Sequence, residues 1–147
     1  MADKNKVKVS CIQCGTTNYY PLDQNGKKVV CGRCHQPLPQ PGSVIEPSLP
    51  QVQAILQHSS LPILIDFYSP ACAPCHIMNP LVDSLAQRRK GELMAVKINV
   101  DLYPQLAASF RVQAVPTFII VNKGHERGRT SGAMSEADFA LWVASLI

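Results

Sequence analysis

The six cysteines of this chain form three Cys-x-x-Cys pairs with none left over, and that spacing serves two chemistries, metal holding and disulfide exchange. Cys11-Ile-Gln-Cys14 and Cys31-Gly-Arg-Cys34 are separated by the 16 residues 15–30, which suits two knuckles whose four thiolates close a tetrahedron on one structural zinc ion. Gly15 and Gly32 permit the tight turns that aim backbone N–H groups at sulfur. Two disulfides or an iron centre are the competing uses. His35 is expected on the surface, because four thiolates already fill the metal's shell.

Cys72-Ala-Pro-Cys75 is placed differently. It follows the apolar run Leu61–Tyr68 and opens a helix, where free backbone N–H groups and the positive end of the helix dipole stabilise a thiolate. Cys72 is therefore expected to be a nucleophile. Spacing of three sets the Cys75 sulfur over the same turn, within reach of a mixed disulfide at Cys72, and makes it the resolving thiol. Pro74 suits the first helical turn because its missing N–H is not needed there. Closing so short a loop removes little denatured-state entropy, roughly 2 kcal/mol, as suits a bond that opens and closes. A third metal half-site and a pair of inert thiols are the alternatives.

The elements that must position these groups divide the chain. Residues 1–36 carry four cysteines, two short β-like runs (Val7–Val9 and Lys28–Val30) and the turn-prone Asp23-Gln-Asn-Gly26, with too few large apolar residues to fold without a staple. Metal binding would supply that folding free energy. The prolines of residues 37–42 block helix and interior sheet, so a semi-rigid linker is expected there. Residues 43–147 alternate. An edge strand at 43–45 precedes a helix over 50–58, a buried strand at 61–68, a helix over 73–89 kinked at Pro80, and a strand at 93–100. A short helix near 104–110, strands at 117–121 and 125–130, and a helix over 135–146 complete the order. This predicts an α/β fold with a mixed central sheet flanked by helices on both faces.

Hydrophobic content of 46% and charged content of 16% exclude wholesale disorder, and the net charge of +4 has no long basic stripe of the kind that grips nucleic acid. The polar N-terminus lacks a signal peptide's apolar stretch and no run is long enough to span a bilayer, so a soluble cytoplasmic protein without membrane contact is expected. In that reducing compartment cysteines serve as ligands or redox groups. No Gly-x-Gly-x-x-Gly or phosphate loop is present, so the chain should hold no nicotinamide or flavin and draw electrons from a partner.

Asp66-Phe-Tyr-Ser-Pro-Ala-Cys-Ala-Pro-Cys75 and Ala114-Val-Pro-Thr117 resemble the active-site strand-turn-helix and the proline loop of the thioredoxin family, with Pro80, Lys97, Asp101 and Gly132 at matching places. The four-cysteine ribbon ahead of it resembles the layout of bacterial zinc-ribbon thioredoxins of the thioredoxin 2 type. The resemblance implies a thioredoxin fold and a protein-disulfide reductase whose partners are disulfide-bonded proteins and a flavin-containing thioredoxin reductase, with the chain expected to be a monomer. It implies that Asp66 moves the resolving thiol's proton, that burial raises its pKa to that end, and that Lys97 is its ionic neighbour. An inert aspartate and a solvated lysine are the alternatives. Pro116 would be cis, leaving the Val115 backbone to pair with an extended substrate. Gly132, Ala71, Ala73 and Pro74 would complete the substrate surface.

Two departures stand out: Ala71 replaces the family's usual tryptophan and Ala73 its glycine, which alters partner contact area and redox poise. They leave open a net oxidase or isomerase. A zinc-dependent peptide-binding or holdase module is the alternative of another class.

Overall fold

The computed structural model describes residues 6–22 and 28–147; the expected turn at Asp23–Gly26 lies outside them. Strands β1 (Lys6–Ser10) and β2 (Thr17–Pro21) pair antiparallel as a small N-terminal sheet. The second unit runs β3 (Val44–Ile45), α1 (Leu49–His58), β4 (Ile63–Tyr68), α2 (Ala73–Arg88), β5 (Met94–Asn99), α3 (Pro104–Ser109), β6 (Thr117–Asn122), β7 (His125–Ser131) and α4 (Glu136–Ala144).

The five strands of that unit lie in the order β3-β5-β4-β6-β7. Parallel pairing of β3 with β5 and of β5 with β4 gives way to antiparallel pairing at β6 and β7, the mixed sheet expected from the alternating pattern. β4 is central and apolar on both faces, as a strand between two helical layers must be. On one face Ile63, Ile65 and Phe67 pack with Val52 and Ile55 of α1 and Leu106 of α3. On the other, Leu64 packs with Met78, Val82 and Leu85 of α2 and Phe139 and Val143 of α4. That second face also carries Asp66, two residues on from Leu64. α2 runs without interruption through Pro80.

The N-terminal unit departs from expectation in two places. The strand partner of Val7–Val9 is Thr17–Pro21, whose β-branched and aromatic residues suit a strand, and not Lys28–Val30, which contributes a single bridge from Val30 to Pro37. Lys28–Val30 is committed instead to the second knuckle, where the Leu38 N–H donates to the Val29 carbonyl at 2.9 Å. The two knuckles repeat one backbone pattern. Gly15 N–H donates to the Cys11 carbonyl and His35 N–H to the Cys31 carbonyl, while Cys11 N–H reaches the Thr16 carbonyl and Cys31 N–H that of Gln36. The left-handed residue is Gly15 (φ 76°) in the first knuckle and His35 (φ 64°) in the second, so the turn expected at Gly32 falls three residues later. Gly32 instead donates its N–H to Asn18 Oδ1 at 3.0 Å.

The ribbon rests against the start of β4. Ser10 Oγ lies 3.1 Å from Ser59 Oγ, Thr17 Oγ1 lies 2.6 Å from Ser60 Oγ, and Ile12 packs on the core beneath α1. Within residues 37–42 Pro41 is buried.

Candidate functional site

Cys72 ends the loop after β4 and is the N-cap of α2, with its sulfur serving as the capping acceptor. The Cys75 backbone N–H donates to Cys72 Sγ at 3.1 Å, the arrangement that stabilises negative charge on that sulfur when the pair is reduced. The two cysteines are joined as a disulfide with Cα atoms 5.3 Å apart. They differ in access: Cys72 is half-exposed, whereas Cys75 is 3% exposed beneath it. The His76 ring Nε2 contacts the Pro70 carbonyl at 2.7 Å and closes the loop around the pair.

The proline loop faces the outer sulfur. Cys72 Sγ lies 3.6 Å from the Val115 carbonyl oxygen, and the Val115–Pro116 peptide is cis. Gly132 sits on this side too, its N–H donating to the Pro116 carbonyl at 2.9 Å. Ala71, Ala73 and Pro74 are exposed around the cysteines. Below the loop, the Thr117 hydroxyl donates to the Ala114 carbonyl at 2.6 Å. A cavity of about 890 Å³ lies elsewhere, lined by Leu56, Phe110, Lys123 and Arg129, and none of the candidate residues borders it. The Cys72 sulfur thus stands at the surface and not in that cavity.

Asp66 lies on β4 under α2, 2% exposed, with Oδ1 buried and without a hydrogen-bond partner among the described residues. Burial pushes its carboxyl up from 3.8 to about 7; Lys97 pulls it down, and Asp83 and Glu46 push it up. Lys97 is its register partner on β5. The Lys97 ammonium nevertheless makes no ion pair with Asp66 among the described residues. It donates to Asn79 Oδ1 at 2.9 Å and lies 4.5 Å above the Tyr68 ring. Tyr68 in turn donates to Glu46 at 2.6 Å, and burial together with that carboxylate raises its phenol to about 12. Asn79 and Tyr68 escaped the sequence reading. The signal for Asn79 was its spacing: Cys75, Asn79 and Asp83 recur every four residues and share one stripe of α2.

At the other end of the sheet, the sulfurs of Cys11, Cys14, Cys31 and Cys34 lie within 4.8 Å of one another. The closest contacts are Cys11 to Cys34 at 3.5 Å and Cys14 to Cys31 at 3.7 Å. Four sulfurs at ~2.3 Å from a tetrahedral zinc ion stand about 3.8 Å apart, so the donor set fits that ion. Backbone N–H groups of Gln13 and Arg33 donate to the sulfurs of Cys11 and Cys31 at 3.4 Å each, the support that ligating thiolates need. Burial pushes the Cys11 thiol up to about 12. Burial also pushes Cys31 up, but hydrogen bonds from the Cys34 and Arg33 backbone and the Asn18 amide prevail and bring it to about 6.

The thioredoxin family profile matches residues 43–145. The chain belongs to the thioredoxin family. Thioredoxin C-3 of Corynebacterium nephridii is 33% identical over 135 residues, covering 92% of each chain, so that similarity takes in the ribbon as well. Thioredoxin 1 of Chlorobaculum tepidum is 41% identical over 80 residues, 54% of this chain and 79% of its own. Among solved structures, chloroplastic thioredoxin z superposes with a TM-score of 0.64 at 26% identity, over 71% of this chain and 94% of its own. As a thioredoxin the protein is a thiol-disulfide oxidoreductase acting on protein disulfides, and the joined Cys72–Cys75 pair is in place for that exchange.

Proposed function

We propose that Cys72 is the attacking thiolate and Cys75 the resolving thiol of a protein-disulfide reductase. The observation that carries this reading is the N-cap position of the half-exposed Cys72 sulfur, with Cys75 buried behind it. Cys72 thiolate attacks one sulfur of the substrate disulfide, and the other substrate sulfur leaves as a thiolate. Cys75 then gives its proton to Asp66 and attacks the Cys72 sulfur, releasing the second substrate thiolate and leaving the Cys72–Cys75 disulfide. Asp66 suits the proton step because burial holds its carboxyl near neutrality. The free Val115 backbone beside Cys72 supports pairing with an extended substrate segment, with Ala71, Ala73, Pro74 and Gly132 as its borders. Two electrons from thioredoxin reductase would restore the dithiol.

The ribbon, residues 1–36, is read as a structural module in which Cys11, Cys14, Cys31 and Cys34 hold one zinc ion; residues 37–42 connect it to the thioredoxin domain, 43–147. Metal bound there supplies folding free energy to a unit with little core of its own. No helix among the described residues is long and apolar enough to cross a membrane, and the reading assigns the protein to the cytoplasm as a monomer.

The test is insulin-disulfide reduction driven by dithiothreitol, wild type against Cys72→Ser, with zinc measured in the same samples. Loss of catalysis in the variant with about one zinc per chain retained is the expected result. A folded, reduced, zinc-loaded wild type without catalysis would sink the reductase reading in favour of a peptide-binding platform.

A further inference from the structure

Asp66 and Lys97 are neighbours across β4 and β5, and the common outcome for such a pair is a salt bridge. Here the bridge is missing. The Lys97 ammonium is taken by two other groups: the Asn79 side-chain oxygen on α2 at 2.9 Å and the face of the Tyr68 ring on β4 at 4.5 Å, whose hydroxyl in turn donates to the Glu46 carboxylate after β3. Asp66 Oδ1 is left buried with no hydrogen-bond partner among the described residues. An unpaired carboxylate in such a place favours its protonated form, whereas contact with an ammonium would favour the ionised form.

We propose that Asn79 is a positioning residue for the proton step: by holding the Lys97 ammonium away from Asp66, it keeps that carboxyl a base strong enough to take the Cys75 proton. The proposal rests on the reading that Asp66 receives this proton. Its geometry follows from α2. Cys75, Asn79 and Asp83 form one stripe, so the helix that carries the resolving thiol also carries the hook for the lysine. The groups that bear on Asp66 are then Lys97 from β5, Asp83 and Cys75 from α2, Tyr68 from β4 and Glu46 from the segment after β3. Among them only Lys97 has the reach and charge to neutralise the carboxylate, and Asn79 is its one hydrogen-bond partner among the described residues.

The experiment follows the Asp66 carboxyl by carbon-13 NMR through a pH titration of the full-length, reduced, zinc-loaded protein. Four forms are compared: wild type, Asn79→Ala, Lys97→Met and the double variant. In Asn79→Ala the released ammonium turns to Asp66 and its midpoint falls by about one pH unit, the lower end of what an opposite charge at 4–6 Å does. In the Lys97→Met background the same asparagine substitution leaves the midpoint where it is. The pH profile of insulin reduction moves to lower pH with Asn79→Ala. Amide spectra of each form check the fold, and Asn79→Asp, which keeps an acceptor for Lys97, restores a midpoint at or above that of wild type.

An unchanged midpoint in a folded Asn79→Ala variant overturns the proposal, as does an equal change with Lys97 absent. A midpoint that falls while the pH profile of reduction stays fixed leaves the lysine hook standing and overturns Asp66 as the proton acceptor, so the two failures are distinguishable.

Discussion

The chain repeats one spacing of cysteines in two settings, and the two regions differ in what each second cysteine faces. In the ribbon each knuckle turns back on itself through a left-handed residue, Gly15 or His35, and every sulfur meets sulfurs of the opposite knuckle. In the thioredoxin domain the pair straddles the first turn of a helix, and its inner sulfur is buried above a carboxylate-bearing strand. Three residues of separation thus fix only that two sulfurs are close. Whether they bind or react depends on whether a second pair or a proton acceptor stands next to them.

The largest effect that tests this contrast is expected at the inner redox cysteine. Cys75→Ser should drop turnover to background and accumulate mixed disulfides at Cys72, detectable by mass spectrometry, while zinc stays bound. Cys31→Ser should do the reverse: zinc is lost and the ribbon becomes sensitive to limited proteolysis, while insulin reduction stays within about two-fold, because the ribbon touches the far end of the sheet. A large loss of reduction in Cys31→Ser would break the comparison.

Next in size is Asp66→Asn. Folding raises the pKa of Asp66 from 3.8 to about 7, so the folded state holds a proton that the unfolded chain has released between those values. Wild-type stability contributed by this group is therefore full below 3.8 and is lost as pH rises through about 7. The asparagine variant escapes that loss. It should be more stable than wild type by roughly 3–4 kcal/mol at pH 8, with little difference near pH 4, as read by urea unfolding, and slower in reduction at neutral pH.

Smaller again is Gly15→Ala. A Cβ there would collide with the His58 side chain in a backbone conformation of φ 76°, so the ribbon should lose about 1–2 kcal/mol of stability and loosen from α1, seen as earlier thermal release of zinc. The smallest expected effect is His76→Ala, which removes the ring contact to the Pro70 carbonyl and should change the reduction potential by no more than ~30 mV.

Much of this was legible beforehand because strong local signals coincide with the fold. The apolar run ending at Tyr68, the second apolar run Phe118–Val121 and the prolines opening α2 and α3 set the elements of the sheet unit within a few residues. The ribbon was harder to read, since a cluster of four sulfurs rather than hydrophobic periodicity organises it. Thr17–Pro21 has the right residue types for a strand but too short a run to stand out, and the left-handed position fell to His35 although Gly32 looked the better candidate. At the site, the family resemblance put Lys97 beside Asp66, where strand alternation alone left a solvated face open, and neither said where four methylene groups would carry its charge. That depended on Asn79, on a helix whose packing angle no local pattern encodes.

The docking of the ribbon at the start of β4 has a consequence for molecularity. Six strand residues at ~3.3 Å each, with the loop beyond them, separate the Ser59–Ser60 end from Cys72 by roughly 20 Å. A disulfide needs Cα atoms within about 7 Å, so no ribbon thiol can trade partners with Cys72 inside one folded molecule. Any exchange between the two centres is second order in protein, so its rate per molecule should rise with protein concentration, whereas substrate turnover per molecule should not.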